Sequence, residues 1–171
     1  MKTPATISAA ALSLFAKEVA KYPAEQQQSA VLACLAIVQE EHGYVSEQNE
    51  EFVAKYLGMP PIAVHEVTTF YNMYNQQPVG RFKLNVCTNL PCQLRDGQQA
   101  LEHLCSRLGI EEGGTSADRL FTVQKSECLG ACADAPVMLV NDRQMCSFMT
   151  NDRLDELVAM LASHAVIERA A

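Results

Sequence analysis

Up to about residue 75 the apolar positions recur at steps of three and four, and beyond it at steps of two. Leu12, Phe15, Val19 and Tyr22 make one stripe, which predicts a first amphipathic helix. Val31, Leu35 and Val38 continue the spacing, with Leu32, Cys34 and Ile37 beside them, so the second predicted helix is apolar nearly all round. Such a helix belongs at the centre of a small bundle. Gly43 suits its end, and Ser46 is placed to cap a third helix presenting Phe52, Val53, Tyr56 and Leu57, which Gly58 stops. Pro61 fits the first turn of a fourth helix, where its missing N–H costs nothing, and Val67, Phe70, Tyr71 and Tyr74 are expected along one face.

The turn-forming stretch Gln76-Gln77-Pro78-Val79-Gly80 marks the predicted boundary, giving a helical bundle domain over 1–78 and a second domain over 79–171. There Phe82, Leu84 and Val86 alternate with Lys83 and Asn85, the pattern of a half-buried strand. A loop and a helix with the face Leu101, Leu104, Cys105 and Leu108 follow, ended by Gly109. Gly113-Gly114-Thr115-Ser116 reads as a flexible connection to a second strand, Leu120 to Gln124. A third strand, Val137 to Val140, turns at Asn141-Asp142 into a fourth around Met145 to Phe148. A last helix starts near Asn151 and buries Leu154, Leu157, Val158 and Leu161. The expected class is α+β, a helical bundle followed by a small α/β sandwich.

Composition narrows the class further. With 171 residues, 49% apolar and 19% charged, the chain is too apolar for wholesale disorder. The net charge is -7, with four Lys against eight acids before residue 79 and nine basic against twelve acidic residues after it. Neither part is a basic patch, so no nucleic-acid partner is expected. No apolar run approaches the roughly 18 residues of a membrane helix, so no direct membrane insertion is expected either. Met1-Lys2 followed by Ile7 to Ala16 imitates an export signal, but Ser8 and Ser13 interrupt it and no small-x-small site follows. Every Arg lies at position 81 or later, which does not suit a mitochondrial presequence. Seven cysteines without an export signal point away from disulfides and toward metal or redox chemistry.

Four of those cysteines stand apart. Cys87 and Cys92 bracket Thr88-Asn89-Leu90-Pro91 after the first strand, and Cys128 and Cys132 bracket Leu129-Gly130-Ala131 after the second. If the two strands are parallel neighbours, both loops emerge at one end of the sheet and four thiols can converge. Soft sulfur donors suit zinc or an iron-sulfur cluster, and spacing alone leaves both open. Two features favour the cluster. Each loop is longer than the usual zinc knuckle, and Gly130, Ala131 and Ala133 are small enough for their backbone N–H groups to approach sulfur. Candidate donors are the amides of Asn89, Gly130 and Ala133, with Arg95 as a nearby cation and Leu90, Leu129 and Met138 as candidates to keep water away.

The other chemistry-bearing residues read more plainly. Cys105 and Cys34 fall on apolar helix faces and are expected in the core, whereas Cys146, between Met145 and Ser147, is either packing or a spare thiol near the site. His42, His65, His103 and His164 show no metal-binding spacing, so surface or core roles are expected. Glu40-Glu41, Glu50-Glu51 and Glu111-Glu112 read as solvated faces. No Ser-His-Asp order, phosphate-cradling loop or C-x-x-C pair is readable, so no catalytic site of the chain's own is evident.

Gly58-Met59-Pro60-Pro61, then Glu66-Val67-Thr68-Thr69-Phe70-Tyr71-Asn72-Met73-Tyr74, Pro78-Val79-Gly80 and the loop Val86 to Cys92 resemble the E subunits of respiratory NADH:quinone oxidoreductase (complex I). Glu127-Cys128-Leu129-Gly130-Ala131-Cys132-Ala133-Asp134-Ala135-Pro136 is similar to their second cysteine loop, and the resemblance covers roughly 24–160. It implies a thioredoxin-like second domain with one 2Fe-2S cluster on Cys87, Cys92, Cys128 and Cys132. The cluster would accept an electron from the flavin of an NADH-oxidising partner subunit, which binds FMN and NADH in place of this chain. Other peripheral-arm subunits are further implied partners, and the implied location is the cytoplasmic face of the membrane, reached through the complex. The segment Thr69 to Tyr74 is either a contact for that partner or a core stripe. Similar subunits serve NAD-linked formate dehydrogenases and bidirectional hydrogenases, so the assembly itself stays open. A zinc-stapled binding module without redox function is the alternative from a different class.

Overall fold

The computed structural model describes residues 6–170, the last five without their side chains; Met1-Lys2 of the signal-like start lies outside them. By packing the chain divides into two compact units, Met1–Pro78 and Val79–Ala171.

The first unit is helical. Helix α1 runs over Ala9–Val19, α2 over Val31–His42, α3 over Glu47–Leu57 and α4 over Pro61–Phe70, with a 3-10 turn at Gln27–Ala30. The Ser8 hydroxyl caps α1 by accepting from Ala11 N, and Ser46 and Asn49 form a reciprocal capping box on α3. Gly43 and Gly58 end α2 and α3 with φ of +80° and +68°, where a side chain would be strained. Phe15, Cys34, Leu35, Val38, Val53 and Val64 make the core, and α2 packs against all three other helices as its apolar circumference predicts.

Several expectations fail here for local reasons. Helix α1 stops before Tyr22, which is exposed, and Leu32 and Tyr56 also keep a solvent-facing edge. Helix α4 ends at Phe70 because Tyr71 is extended and the chain turns back onto α2. There Gln39 Nε2 donates to the Met73 carbonyl at 2.8 Å, Asn75 N donates to Gln39 Oε1 at 2.6 Å, and the Tyr74 hydroxyl donates to the Leu32 carbonyl at 2.8 Å. Tyr74 is therefore buried while Phe70 is 81% exposed, and the buried positions of α4 are Val64 and Thr68. Glu50 is not on a solvated face. It is 6% exposed, and its carboxylate accepts from the Thr68 hydroxyl and meets His65 Nδ1 at 2.9 Å.

The second unit is a four-stranded sheet in the order β2-β1-β3-β4, formed by β1 Phe82–Cys87, β2 Phe121–Ser126, β3 Met138–Val140 and β4 Gln144–Cys146. Strands β1 and β2 are parallel neighbours in the register Leu84↔Val123 and Cys87↔Ser126; β3 is antiparallel to β1 and to β4. Between β1 and β2 lie the short helix α5, Leu90–Gln93, and α6, Gly97–Leu108; α7, Asn151–Ala170, closes the chain. Leu84, Val86, Phe121, Val123, Met138 and Val140 share one core with Leu101 and Leu104 of α6 and Leu154, Leu157, Val158 and Leu161 of α7.

The other face of β1 is buried as well, contrary to the alternating pattern. The Asn141-Asp142 turn folds over it, both residues at positive φ as a tight hairpin requires. Asp142 pairs with Lys83 Nζ at 2.6 Å and accepts from Asn85 Nδ2 at 2.5 Å, so neither polar group is left bare. The stretch 113–116 is no loose connection either. Gly113 N donates to the Val123 carbonyl and Ser116 N to the Phe121 carbonyl, both at 2.8 Å, hooking it onto the outer edge of β2.

Candidate metal centre

Because β1 and β2 run parallel, both loops that follow them leave the sheet at its carboxyl end. Cys87 is the last residue of β1, and Cys92 sits in the single turn of α5, which begins at Leu90-Pro91 with Pro91 where its missing N–H is harmless. Cys128 lies two residues past β2, and Cys132 opens a 3-10 turn, Cys132–Asp134. Cys87 N donates to the Val137 carbonyl and Thr88 N to the Ser126 carbonyl, each at 3.1 Å, so the exits of both loops are tied to the sheet.

The four thiols meet there as two pairs. Cys128 Sγ and Cys132 Sγ are 3.5 Å apart, and Cys87 and Cys92 are buried together in one small cluster. The pairs also sense one another. Burial chiefly, then the hydrogen bond and charge of Cys87 and the charge of Cys132, push the Cys92 thiol above its ordinary value, against a lowering backbone hydrogen bond at Val137. The Cys132 thiol is raised chiefly by its hydrogen bond with Cys128, and more weakly by burial and by the charges of Cys128 and Cys87. Four neighbouring thiolates repel, so full deprotonation of this set calls for a positive centre among them.

The inner pair is closed off and the outer pair is open. Cys87 and Cys92 are each 1% exposed and pack with Ala135, Val137, Leu129 and Ala131; Cys128 and Cys132 are at the surface. Gly130, at φ +79°, turns its N–H toward Cys128 Sγ at 3.4 Å. Gly97 explains how α6 starts so near the first loop. A Cβ there would stand 2.8 Å from the carbonyl oxygens of Cys87 and Cys92.

Some predicted residues lie elsewhere. Met138 is in the core shared with α6 and α7, and Leu90 is 65% exposed, so of the three expected shields only Leu129 packs against the thiols. Arg95 is exposed, its side chain lining a hollow of about 240 Å³ with Asp96, Gln99, Pro136 and Thr150. Asn89 takes part through its side chain: Nδ2 donates to Glu127 Oε2 at 2.9 Å. Cys146 pairs with Met138 across β3 and β4 and packs against the main core, where burial raises its thiol; Cys105 packs there too. Cys34 is buried in the first unit, its thiol pushed up to about 12 by burial and by Glu18. His65 and His103 pair with Glu50 and Asp155, and His42 holds Nε2 buried without a partner. Ala135, Val137 and Gly97 were missed. Gly97 alone carried a sequence signal, a glycine at the start rather than the end of a helix.

The donors fit an iron-sulfur unit. The thiols come two from each loop, one pair for each metal of a two-metal unit. Residues 15–162 match the family model of the thioredoxin-like 2Fe-2S ferredoxins. The chain belongs to this family. Among curated relatives of this thioredoxin-like ferredoxin, NADH-quinone oxidoreductase subunit 2 of Thermus thermophilus is 38% identical over 149 residues, spanning 87% of this chain and 82% of its own. An E-type subunit of the NADH-quinone oxidoreductase of Rhizobium meliloti is 40% identical over 150 residues, spanning 88% and 86%. A crystal structure of an NAD+-reducing NiFe hydrogenase shares the fold, with a TM-score of 0.67 at 22% identity over 78% of this chain and 23% of the hydrogenase chain. The family carries a 2Fe-2S centre, and the match sets the α+β, thioredoxin-like class of this ferredoxin.

Proposed function

We propose that this chain is the electron-transfer subunit of an NADH:quinone oxidoreductase, holding one 2Fe-2S cluster on Cys87, Cys92, Cys128 and Cys132. The observation that carries the reading is the convergence of two thiol pairs at the carboxyl end of two parallel strands. Family membership and the naming of its relatives as subunits of such enzymes support it. Residues 1–78 would form the helical domain and 79–171 the cluster domain.

When bound, a 2Fe-2S cluster supplies a one-electron acceptor and donor. The protein's own residues set its surroundings. Cys87 and Cys92 anchor it from inside, while Val137, Ala135 and Leu129 exclude water on that side, which disfavours added negative charge. The Gly130 N–H opposes that effect by pointing a positive dipole at the Cys128 sulfur. Cys128 and Cys132, being exposed, put the outer side within reach of a partner. In this reading the partner is the flavin-bearing, NADH-oxidising subunit, and the exposed Phe70, Tyr71 and Met73 offer apolar surface for it. No helix among the described residues is long and apolar enough to cross a membrane, and in this reading the chain meets one through its neighbours in the complex.

The test is a visible absorption and EPR spectrum of the anaerobically purified chain, before and after dithionite. A reddish-brown protein with a one-electron 2Fe-2S signal is expected, lost in Cys92→Ser and kept in Cys105→Ser. A colourless protein containing one zinc would refute the reading. Co-purification of the chain with its native partners, followed by identification of those chains, tests the assembly.

A further inference from the structure

The two cysteine loops are joined by one side-chain bond that the ligand set does not require. Asn89, between Cys87 and Cys92, donates through Nδ2 to Oε2 of Glu127, the residue just before Cys128, at 2.9 Å. It spans 38 positions in sequence and is exposed, while the neighbouring Thr88 N to Ser126 O bond holds only the backbone where the loops begin. Past that point the outer pair, Cys128 and Cys132, is exposed, whereas Cys87 and Cys92 are buried, and the second loop meets the inner pair by packing of Leu129 and Ala131. Resting on the 2Fe-2S reading above, we propose that Asn89 and Glu127 are positioning residues, a clamp that fixes the outer thiol pair relative to the inner one at the separation a two-metal unit needs.

The physical case has two parts. A hydrogen bond to a carboxylate is stronger and better oriented than one between neutral groups, so Glu127 suits a side-chain tie between two surface loops. Ligand sulfurs gain from being held before the metals arrive, because a loop ordered in advance loses less entropy on binding. Glu127 also carries a negative charge one residue from a ligand, which disfavours uptake of an electron at the site. Clamp and charge can be separated by substitution. Glu127→Gln keeps an acceptor for Asn89 and removes the charge; Asn89→Ala removes the donor and keeps the charge.

The experiment uses the full chain purified with its chromophore. It measures the rate of bleaching by an iron chelator, the reduction potential and the thermal midpoint, for wild type, Asn89→Ala, Glu127→Ala, the double variant and Glu127→Gln. Outer-shell partners of metal ligands commonly matter by about tenfold or more, so each alanine variant should bleach roughly tenfold faster with little change in thermal midpoint. The double variant should bleach no faster than either single one, since both remove the same bond. Glu127→Gln should bleach at close to the wild-type rate, and its potential should rise. Bleaching rates equal to wild type in both alanine variants, or effects that add in the double variant, would overturn the clamp. A wild-type chain that purifies colourless with zinc would instead overturn the 2Fe-2S reading on which the clamp rests.

Discussion

Gly97 shows how much one atom can matter at the site. Its missing side chain lets the first turn of α6 lie against the carbonyls of Cys87 and Cys92, so Gly97→Ala should displace the first loop. Backbone cannot move as a flexible side chain can, and overpacking of this kind costs about 1–3 kcal/mol. The expected outcome is lower stability in denaturant together with a weakened chromophore; a normal chromophore at unchanged stability would show that the loop yields freely. Cys34 makes the opposite point in the helical unit, as a thiol packed in the core. Burial holds its proton up to about pH 12, against an ordinary thiol value of 9.0. Above pH 9 the unfolded chain therefore binds fewer protons than the folded one, so this stabilisation is complete below pH 9 and is lost as pH climbs toward 12. Tyr74, also pushed up to about 12 by burial, adds the same sign from pH 10. Thermal midpoints measured across alkaline pH should fall, and more shallowly in Cys34→Ala, whatever its midpoint at pH 7.

At the scale of elements, the sequence was most legible where one rule acted alone. Ser46, Gly43 and Gly58 lie where helix-end chemistry puts them, and α2 is central because it is apolar all round. The chain order of strands and helices was readable too, and with it the convergence of the cysteine loops once β1 and β2 proved to be parallel neighbours. Long-range bonds erased the rest. Alternation in β1 suggested an open face, but the Asn141-Asp142 turn, 57 positions or more away from its partners, covers Lys83 and Asn85. Glu50 sat in a charged pair by sequence and is buried by its bonds to Thr68 and His65 on α4. Tyr74 continued a helical stripe on paper, yet it reaches the core from a turn held by Gln39. The cysteine spacing marked the proposed ligands, but the apolar wall around Cys87 and Cys92 comes from Ala135 and Val137, which nothing in the first loop announces.

For the whole molecule, the two packed units adjoin in sequence at Pro78-Val79, and Gln76, Gln77 and Pro78 are exposed. Limited digestion with a broad-specificity protease should cut first within Gln76 to Gly80 and leave two protease-resistant pieces, ending near Pro78 and beginning near Val79. First cuts inside α2 or β1 would count against two separately packed domains. The helical piece should keep its helical circular dichroism, since its core of Phe15, Leu35, Val38 and Val53 draws on residues of that unit alone.

The unequal burial of the two thiol pairs gives the site an order of access. Small electrophiles and oxidants meet Cys128 and Cys132 first, since Cys87 and Cys92 are buried. In the cluster-free chain, timed alkylation followed by mass mapping should modify the outer pair well before the inner pair. A centre held as proposed on these four thiols would be assembled from the surface inward and dismantled from the surface as well, with the buried pair as the last to let go.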